Sequence, residues 1–181
     1  IMLLIAVGLA LWAAVHFWKR LSPASRAGFG NPGKGVVALG AVLAIVLMVI
    51  GYRSTYGTIY WGRTAPMAGI NNLLMVFSVY LFAASGAKTR ITKWIRNPQL
   101  TAVMVWAVAH LLVNGDTPSF LLFGGLFVWA LGEVIVLNRV APPAPYRAVP
   151  VKKEITAVIA TLVVFGLVAG VHGWLGYNPF G

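Results

Sequence analysis

Apolar residues gather in six long runs, at roughly 1–17, 35–52, 71–87, 99–115, 118–137 and 155–175, parted by short polar or basic stretches. A bilayer hydrocarbon core about 30 Å thick takes roughly 20 apolar residues of helix to cross, and each run is near that length. The pattern predicts an all-α polytopic membrane protein of six transmembrane helices. The connecting stretches are too short to fold separately, so residues 1–181 read as a single transmembrane domain.

The densest information lies between Arg96 and Gly125, RNPQLTAVMVWAVAHLLVNGDTPSFLLFGG. With successive helical side chains turning by about 100°, Gln99, Trp106, His110 and Asn114 fall on one face. A polar stripe exposed to lipid is costly, so this face is expected to look into the bundle or a cavity. His110 is an ionisable group far from either end of its run. Such a residue is a functional-site candidate by default, the plainer alternative being a neutral imidazole hydrogen-bonded to another helix. In the hairpin Asn114-Gly115-Asp116-Thr117-Pro118, Asp116 is placed to cap the start of the fifth run. A solvated turn aspartate is the other reading.

The remaining runs carry fewer signals. Small residues at Gly35, Ala38, Gly40, Ala41 and Ala44 permit close helix contact in lipid, as does the Gly166-x-x-x-Gly170 pair of the sixth run. Tyr52, Tyr56, Tyr60 and Trp61 fit an interfacial aromatic belt. The segment AKTRITKWIRN (87–97) reads as a short amphipathic interfacial helix, and APPAPYRAVPVKK (141–153) as an extended proline-rich linker. His16 ends the first run, either as an interfacial histidine or as a site residue. His172 lies near the close of the sixth, where an interfacial role is the natural one. Glu133 is expected to pair with a basic residue of the inner loops.

Charge sets the topology. The stretches after the first, third and fifth runs hold Lys19, Arg20, Arg26, Lys34, Lys88, Arg90, Lys93, Arg96, Arg139, Arg147, Lys152 and Lys153. Those after the second and fourth hold only Arg53 and Arg63. The positive-inside rule then puts the basic loops in the cytoplasm and both termini on the non-cytoplasmic side of a bacterial inner membrane. In that frame His16 and Glu133 belong to an inner layer and Asn71, Asn72, Asn114, Asp116 and His172 to an outer one. His110 lies between them.

Composition removes whole classes of function. At 60% hydrophobic and 9% charged residues, an ordinary soluble domain is excluded. The net charge of +11 is scattered over short loops rather than along one phosphate-tracking face, which argues against nucleic acid. Zero cysteines exclude disulfides, thiolate metal ligands and a cysteine nucleophile. The first run ends at Trp18-Lys19-Arg20 without a small-residue cleavage site, so it reads as a retained span. No G-x-S-x-G, Walker or HExxH motif occurs, and three acidic residues are few for two-carboxylate catalysis. Histidine as a haem or metal ligand is the chemistry left open, and the alternative is no chemistry at all.

The run NP-Q-L…W-x-x-A-H-L-L-x-N-G-D…L-L-F-G-G resembles the NnrU family, bacterial membrane proteins linked with denitrification. The histidine closing the first run, followed by Ser-Pro-x-x-Arg, fits as well. The same family includes plant 15-cis-zeta-carotene isomerase, a haem enzyme that turns a central cis double bond to trans. The resemblance implies haem b held by His110 and His16, with isomerisation of a conjugated, carotenoid-like lipophilic substrate. Trp106 and Asn114 would then shape and orient a catalytic site around His110. Ala107 stands where the plant enzyme has a cysteine, so ligand exchange with a thiolate is closed to this chain. A rival expectation is an accessory or assembly subunit of a respiratory, denitrification or photosynthetic complex, docked on partner subunits through its small-residue faces.

Overall fold

A computed structural model describes residues 1–143 and 145–180. The protein is 78% helical. Its long helices are α1 (Met2–Leu21), α3 (Pro32–Arg53), α4 (Ala65–Ala87), α5 (Pro98–Val113), α7 (Gly125–Val140) and α8 (Val151–Trp174). Between them lie two one-turn or two-turn pieces, α2 (Pro23–Gly28) and α6 (Thr117–Ser119). A π-helical segment, Phe120–Gly124, joins α6 to α7, so that Thr117–Val140 forms one continuous rod. Five helices, counting that rod once, are long and apolar enough to cross a membrane. The sixth expected span, α5, is apolar but has 16 residues, about 24 Å of helix.

The sequence explains where the helices begin. Proline stands in the first turn of α2, α3, α4, α5 and α6, where a missing N–H costs nothing and the fixed φ favours the helix. Thr64 caps α4 through its side chain, accepting from Met67 N at 3.4 Å. Lys88 ends that helix in the left-handed conformation, φ 59°. The third run was expected to open at Asn71; the Thr64 cap and Pro66 start it six residues earlier.

Packing is inverted relative to a soluble protein. The deeply buried apolar residues are mainly small, among them Ala44, Ala84, Ala102, Ala107, Ala109 and Ala130. Large aliphatic side chains of α3 and α8, such as Leu39, Val42, Leu162 and Leu167, point outward, as lipid-facing residues do. Close approach is greatest between α1 and α3. A Cβ on Gly8 would meet Met48 Cγ at 2.7 Å, one on Gly40 would meet Val15 Cγ1 at 2.6 Å, and one on Gly51 would meet Ile5 N at 2.8 Å. These pairings run antiparallel. By contrast, Gly35, Gly166 and Gly170 face open space, so the Gly166-x-x-x-Gly170 pair meets no helix among the described residues.

A second antiparallel pair is α4 with α5, tied where Ser78 Oγ donates to the Ala102 carbonyl at 2.8 Å inside the bundle. The rod ending in α7 runs parallel to α1. Gly125 abuts Leu9 and Gly132 abuts Phe17, so positions later in one helix meet positions later in the other. Helix α8 packs chiefly on α4. The directions agree with the alternation that the basic loops require.

Three connections differ from the expected ones. The stretch before α4 is more than an aromatic belt. Its β1 (Ile59–Trp61) pairs antiparallel with β2 (Gly115–Asp116), bringing two loops distant in sequence into one small ribbon. The segment expected as an amphipathic helix forms only a 3₁₀ turn, Arg90–Lys93, whose first amide donates to Glu154 Oε1 at 2.8 Å. The linker is irregular between Ala141 and Pro150, apart from Ala144, which lies outside the described residues, and its Val151-Lys152-Lys153 end already belongs to α8.

Candidate functional site

His110, expected well inside its span, sits instead in the last turn of α5 because the helix stops at Val113, and its ring stacks on Phe123 with centroids 4.7 Å apart and planes at 28°. Trp106, one turn earlier, meets the imidazole at 4.8 Å and the Phe123 ring edge-on at 5.0 Å. Tyr52 reaches Phe123 from α3 at 6.0 Å, and its hydroxyl bonds to Ser119 Oγ at 2.8 Å. Phe123 is supplied by the π segment. The wider turn of a π bulge shifts the register of following side chains, and such bulges are frequent at functional sites. The result is a three-ring cluster, Trp106–His110–Phe123, flanked by the Tyr52–Ser119 bond.

The imidazole has one nitrogen committed. His110 Nδ1 lies 2.9 Å from the Trp106 carbonyl, which can only accept, so Nδ1 carries a proton and Nε2 is the nitrogen left for another partner. A carbonyl that fixes the tautomer in this way is what a metal-ligating histidine uses.

Two members of the expected stripe lie elsewhere. Asn114 is outside the helix: with φ −128° it is the residue at which α5 stops, and its Nδ2 donates to the His110 carbonyl at 2.9 Å. Its side chain therefore closes the helix end next to the ring cluster. Gln99, at the opposite end of α5, is exposed. Asp116 does cap the rod, accepting from Ser119 N at 2.8 Å.

His16 belongs to a second cluster. Its Nδ1 is 2.7 Å from the Trp12 carbonyl, its ring lies 4.1 Å from that of Trp12, and Trp129 meets it edge-on at 5.0 Å. Glu133, one turn beyond Trp129, is 4% exposed and pairs with Arg20 at 3.7 Å, the inner-loop partner its depth called for. Both clusters repeat one device. A Trp-x-x-x-His pair on a single helix turns the two rings together and gives the imidazole a backbone acceptor. That spacing, present twice in the sequence, is the signal from which the second cluster was readable. Phe123, Trp129 and Tyr52 carried no comparable mark, because their roles depend on the π segment and on helix register.

The relative level of the two histidines follows from α1 and the rod. His110 stacks on Phe123, two residues before Gly125, which abuts Leu9. His16 lies seven residues beyond Leu9, about 10 Å further along the bundle. Each histidine has Nδ1 anchored on a backbone carbonyl, so Nε2 is the nitrogen with which it would hold a haem iron. Two ligands of one iron must also face each other across the macrocycle. The packing puts His16 against Trp12 and Trp129 and His110 against Phe123, in two separate aromatic clusters. Among the described residues no three His, Cys, Asp or Glu side chains gather around a common point, so a site built from three protein ligands is not formed.

His172 is in the last turn of α8, with Nδ1 on the Val168 carbonyl at 2.8 Å. The chain folds back just beyond it. Arg63 Nη1 donates to the Asn178 carbonyl at 2.5 Å and Asn72 Nδ2 to that of Pro179 at 3.0 Å, holding the tail over the outer end of α4.

No curated protein and no solved structure matches the chain. The family model of the NnrU protein does match, over residues 3–179, which takes in both histidine clusters, the β ribbon and every long helix. With nearly its whole length covered, and the Asn-Pro-Gln-Leu to Phe-Gly-Gly run forming the α5 hairpin and π segment, the chain belongs to the NnrU family.

Proposed function

We propose that this protein is a bacterial inner-membrane haem protein in which His110 is the axial ligand, acting in cis–trans isomerisation of a conjugated lipophilic substrate. The observation that carries the reading is the state of one side chain. His110 is held by α5 with its Nδ1 proton on the Trp106 carbonyl and its ring stacked on Phe123, leaving Nε2 for another partner. Bound haem supplies a Lewis-acidic, redox-active iron able to weaken a polyene's central double bond. The chain's own part is to orient and to exclude. The carbonyl of Trp106 fixes the tautomer, and the Trp106 and Phe123 rings offer flat apolar faces to a planar conjugated chain. Asn114 and Asp116 finish the helix ends that carry these rings. On this reading α5 is the sixth crossing, and the termini lie outside the cytoplasm, as the loop charges require.

The direct test is a visible spectrum of protein purified in mild detergent after growth with ample haem precursor. A Soret band that His110→Ala abolishes or shifts supports the proposal, and a colourless wild-type protein defeats it. One observation favours the accessory-subunit reading instead. Gly166 and Gly170 of α8 meet nothing among the described residues, so a small-residue face is left for another helix.

A further inference from the structure

At the basic end of the bundle a cleft of about 500 Å³ opens between the close of α4 and the start of α8, lined by Gly86, Ala87, Pro150, Lys152, Lys153 and Thr156. It exists because α4 ends on two of the smallest residues, and a Cβ on Gly86 would meet nothing within 4 Å. The two walls are tied beside it, where the Arg90 amide of the 3₁₀ turn donates to Glu154 Oε1 at 2.8 Å. That bond engages the one acidic side chain next to the cleft. Lys88, Arg90, Lys152 and Lys153 are all exposed. Among the described residues none of the four forms an ion pair, the pair that does form being Arg20–Glu133. Lys152 and Lys153 also stand in the first turn of α8, where the helix dipole disfavours a cation.

We propose that this cleft seats an anionic phospholipid of the surrounding bilayer, with its phosphate on Lys152 and Lys153 and its glycerol and upper acyl chain against Gly86, Ala87 and Pro150. Charge selects the headgroup. Four cations without an ionic partner make a field that a net negative lipid answers and a zwitterionic one does not. The lining selects a lipid over a soluble anion. Apart from the lysines only Thr156 is polar, and its hydroxyl already donates to the Lys152 carbonyl at 2.8 Å. A nucleotide or sugar would therefore bury its polar groups against apolar walls. The cleft also continues toward hydrocarbon. Phe82, one turn back from Gly86, and Ile159, almost one turn on from Thr156, are both exposed, which gives an acyl chain an apolar path along the two helices. Since α8 packs chiefly on α4, a lipid bridging them at this end stabilises the folded chain by mass action. Neither histidine cluster takes part, so loss of haem from a His110 variant leaves this site intact.

The test uses the full chain, stripped of lipid in a neutral maltoside detergent and titrated with dioleoyl phosphatidylglycerol, dioleoyl phosphatidylcholine or inorganic phosphate. Native mass spectrometry counts retained lipid, and thermal unfolding reads its effect. A single phosphatidylglycerol per chain should be held saturably and raise the unfolding midpoint. Phosphatidylcholine should bind about tenfold more weakly, and phosphate alone should leave the midpoint unchanged. Lys152→Gln/Lys153→Gln should weaken phosphatidylglycerol about tenfold and abolish the preference over phosphatidylcholine. Gly86→Leu, which fills the cleft from a position with room for a side chain, should abolish binding with every charge in place. Lys19→Gln/Lys34→Gln, an equal loss of charge at another basic loop, should change affinity by less than about twofold, because salt screens distant charges. Equal binding of the two lipids, no saturable binding, phosphate as effective as lipid, unaltered binding to Gly86→Leu, or an equal loss in the Lys19 and Lys34 variant would overturn the proposal. Where a variant fails to fold, a phosphatidylglycerol with a photoreactive upper acyl chain decides on the unaltered protein. Crosslinks are expected within 82–90 and 150–159, and crosslinks confined to other stretches would equally overturn it.

Discussion

Gly115 lies directly beneath the indole of Trp61, so close that a methyl group at 115 would fall inside the ring. The two residues face each other in the β1–β2 ribbon, and Trp61 Nε1 donates to the Leu111 and Leu112 carbonyls at 3.2 Å each. Those carbonyls are among the last of α5, where no further turn exists to satisfy them. One indole thus ties the outer loop to the end of the helix that carries His110. Gly115→Ala must displace it, and the expected loss of stability is about 1–3 kcal/mol from overpacking and released carbonyls. Thermal unfolding in detergent reads the loss. Trp61→Phe, which keeps the ring and drops the donor, should fall at the lower end, and an unchanged midpoint for Gly115→Ala would show that the contact is dispensable.

Asp116 offers a cleaner comparison. Its carboxylate accepts from Ser119 N at 2.8 Å at the start of the rod whose next turn is the π segment. Asp116→Ala should cost about 0.5–2 kcal/mol, and Asp116→Asn, which retains the acceptor, markedly less. Equal losses for the two variants would mean that charge, rather than the cap, matters there.

The six apolar runs were legible because helix spacing and bilayer thickness impose them independently of any neighbour. Run boundaries were less so: α4 starts at Ala65 because of Thr64 and Pro66, and α5 stops at Val113 because Asn114 leaves the helix. The Asp116 cap was readable, since capping depends on three or four consecutive residues. The β ribbon was hidden, because Ile59–Trp61 finds its partner more than fifty residues away and each strand is too short for a periodic signal. Half of the expected stripe failed for a similar reason. A face drawn through Gln99 and Asn114 assumes an uninterrupted helix, whereas the site is completed by Phe123 from another element. The π bulge that aims Phe123 leaves no spacing that a helical wheel can detect.

The Arg20–Glu133 pair tests how a charge is kept inside the bundle. Glu133 has a 6% exposed side chain and one long contact, while Arg20 is 34% exposed and reaches the inner interface. Removing Arg20 strands a buried carboxylate, whereas removing both charges leaves an apolar contact between α1 and α7. Arg20→Ala should therefore be more destabilising than Arg20→Ala/Glu133→Leu, by about 1–3 kcal/mol after allowing for the solvent around Arg20. Thermal unfolding of both variants decides the matter, and a double variant weaker than the single one would contradict it.

The proposed topology rests on the loop charges, and the parallel course of α1 and α7 is consistent with it. Reporter fusions after Lys34, Lys93 and Arg147 should read cytoplasmic, and fusions after Gly62 and at the C-terminus should read periplasmic. The informative position is Gly62. Since α5 has only 16 residues, an alternative would keep it in one leaflet, and the fusion between α3 and α4 would then disagree with one placed after Asp116. Agreement of the two periplasmic sites fixes α5 as a crossing.

The histidine comparison carries the functional reading. All three histidines of the chain place Nδ1 on the carbonyl four residues earlier, so tautomer alone does not separate them. Surroundings do. His110 is flanked by Trp106 and by a phenyl ring delivered by the π segment, His16 by two indoles and an ion pair, and His172 lies in the last turn of α8. With one histidine per iron, His110→Ala should remove haem or shift its spectrum while the protein still inserts. His172→Ala should leave the spectrum unchanged. His16→Ala should leave haem content within about twofold of wild type, because its ring sits about 10 Å deeper along α1. Pyridine haemochrome should give roughly one haem b per chain. Loss of haem from His16→Ala and His110→Ala alike would instead put both rings on one iron, the two-ligand site that the family resemblance implies.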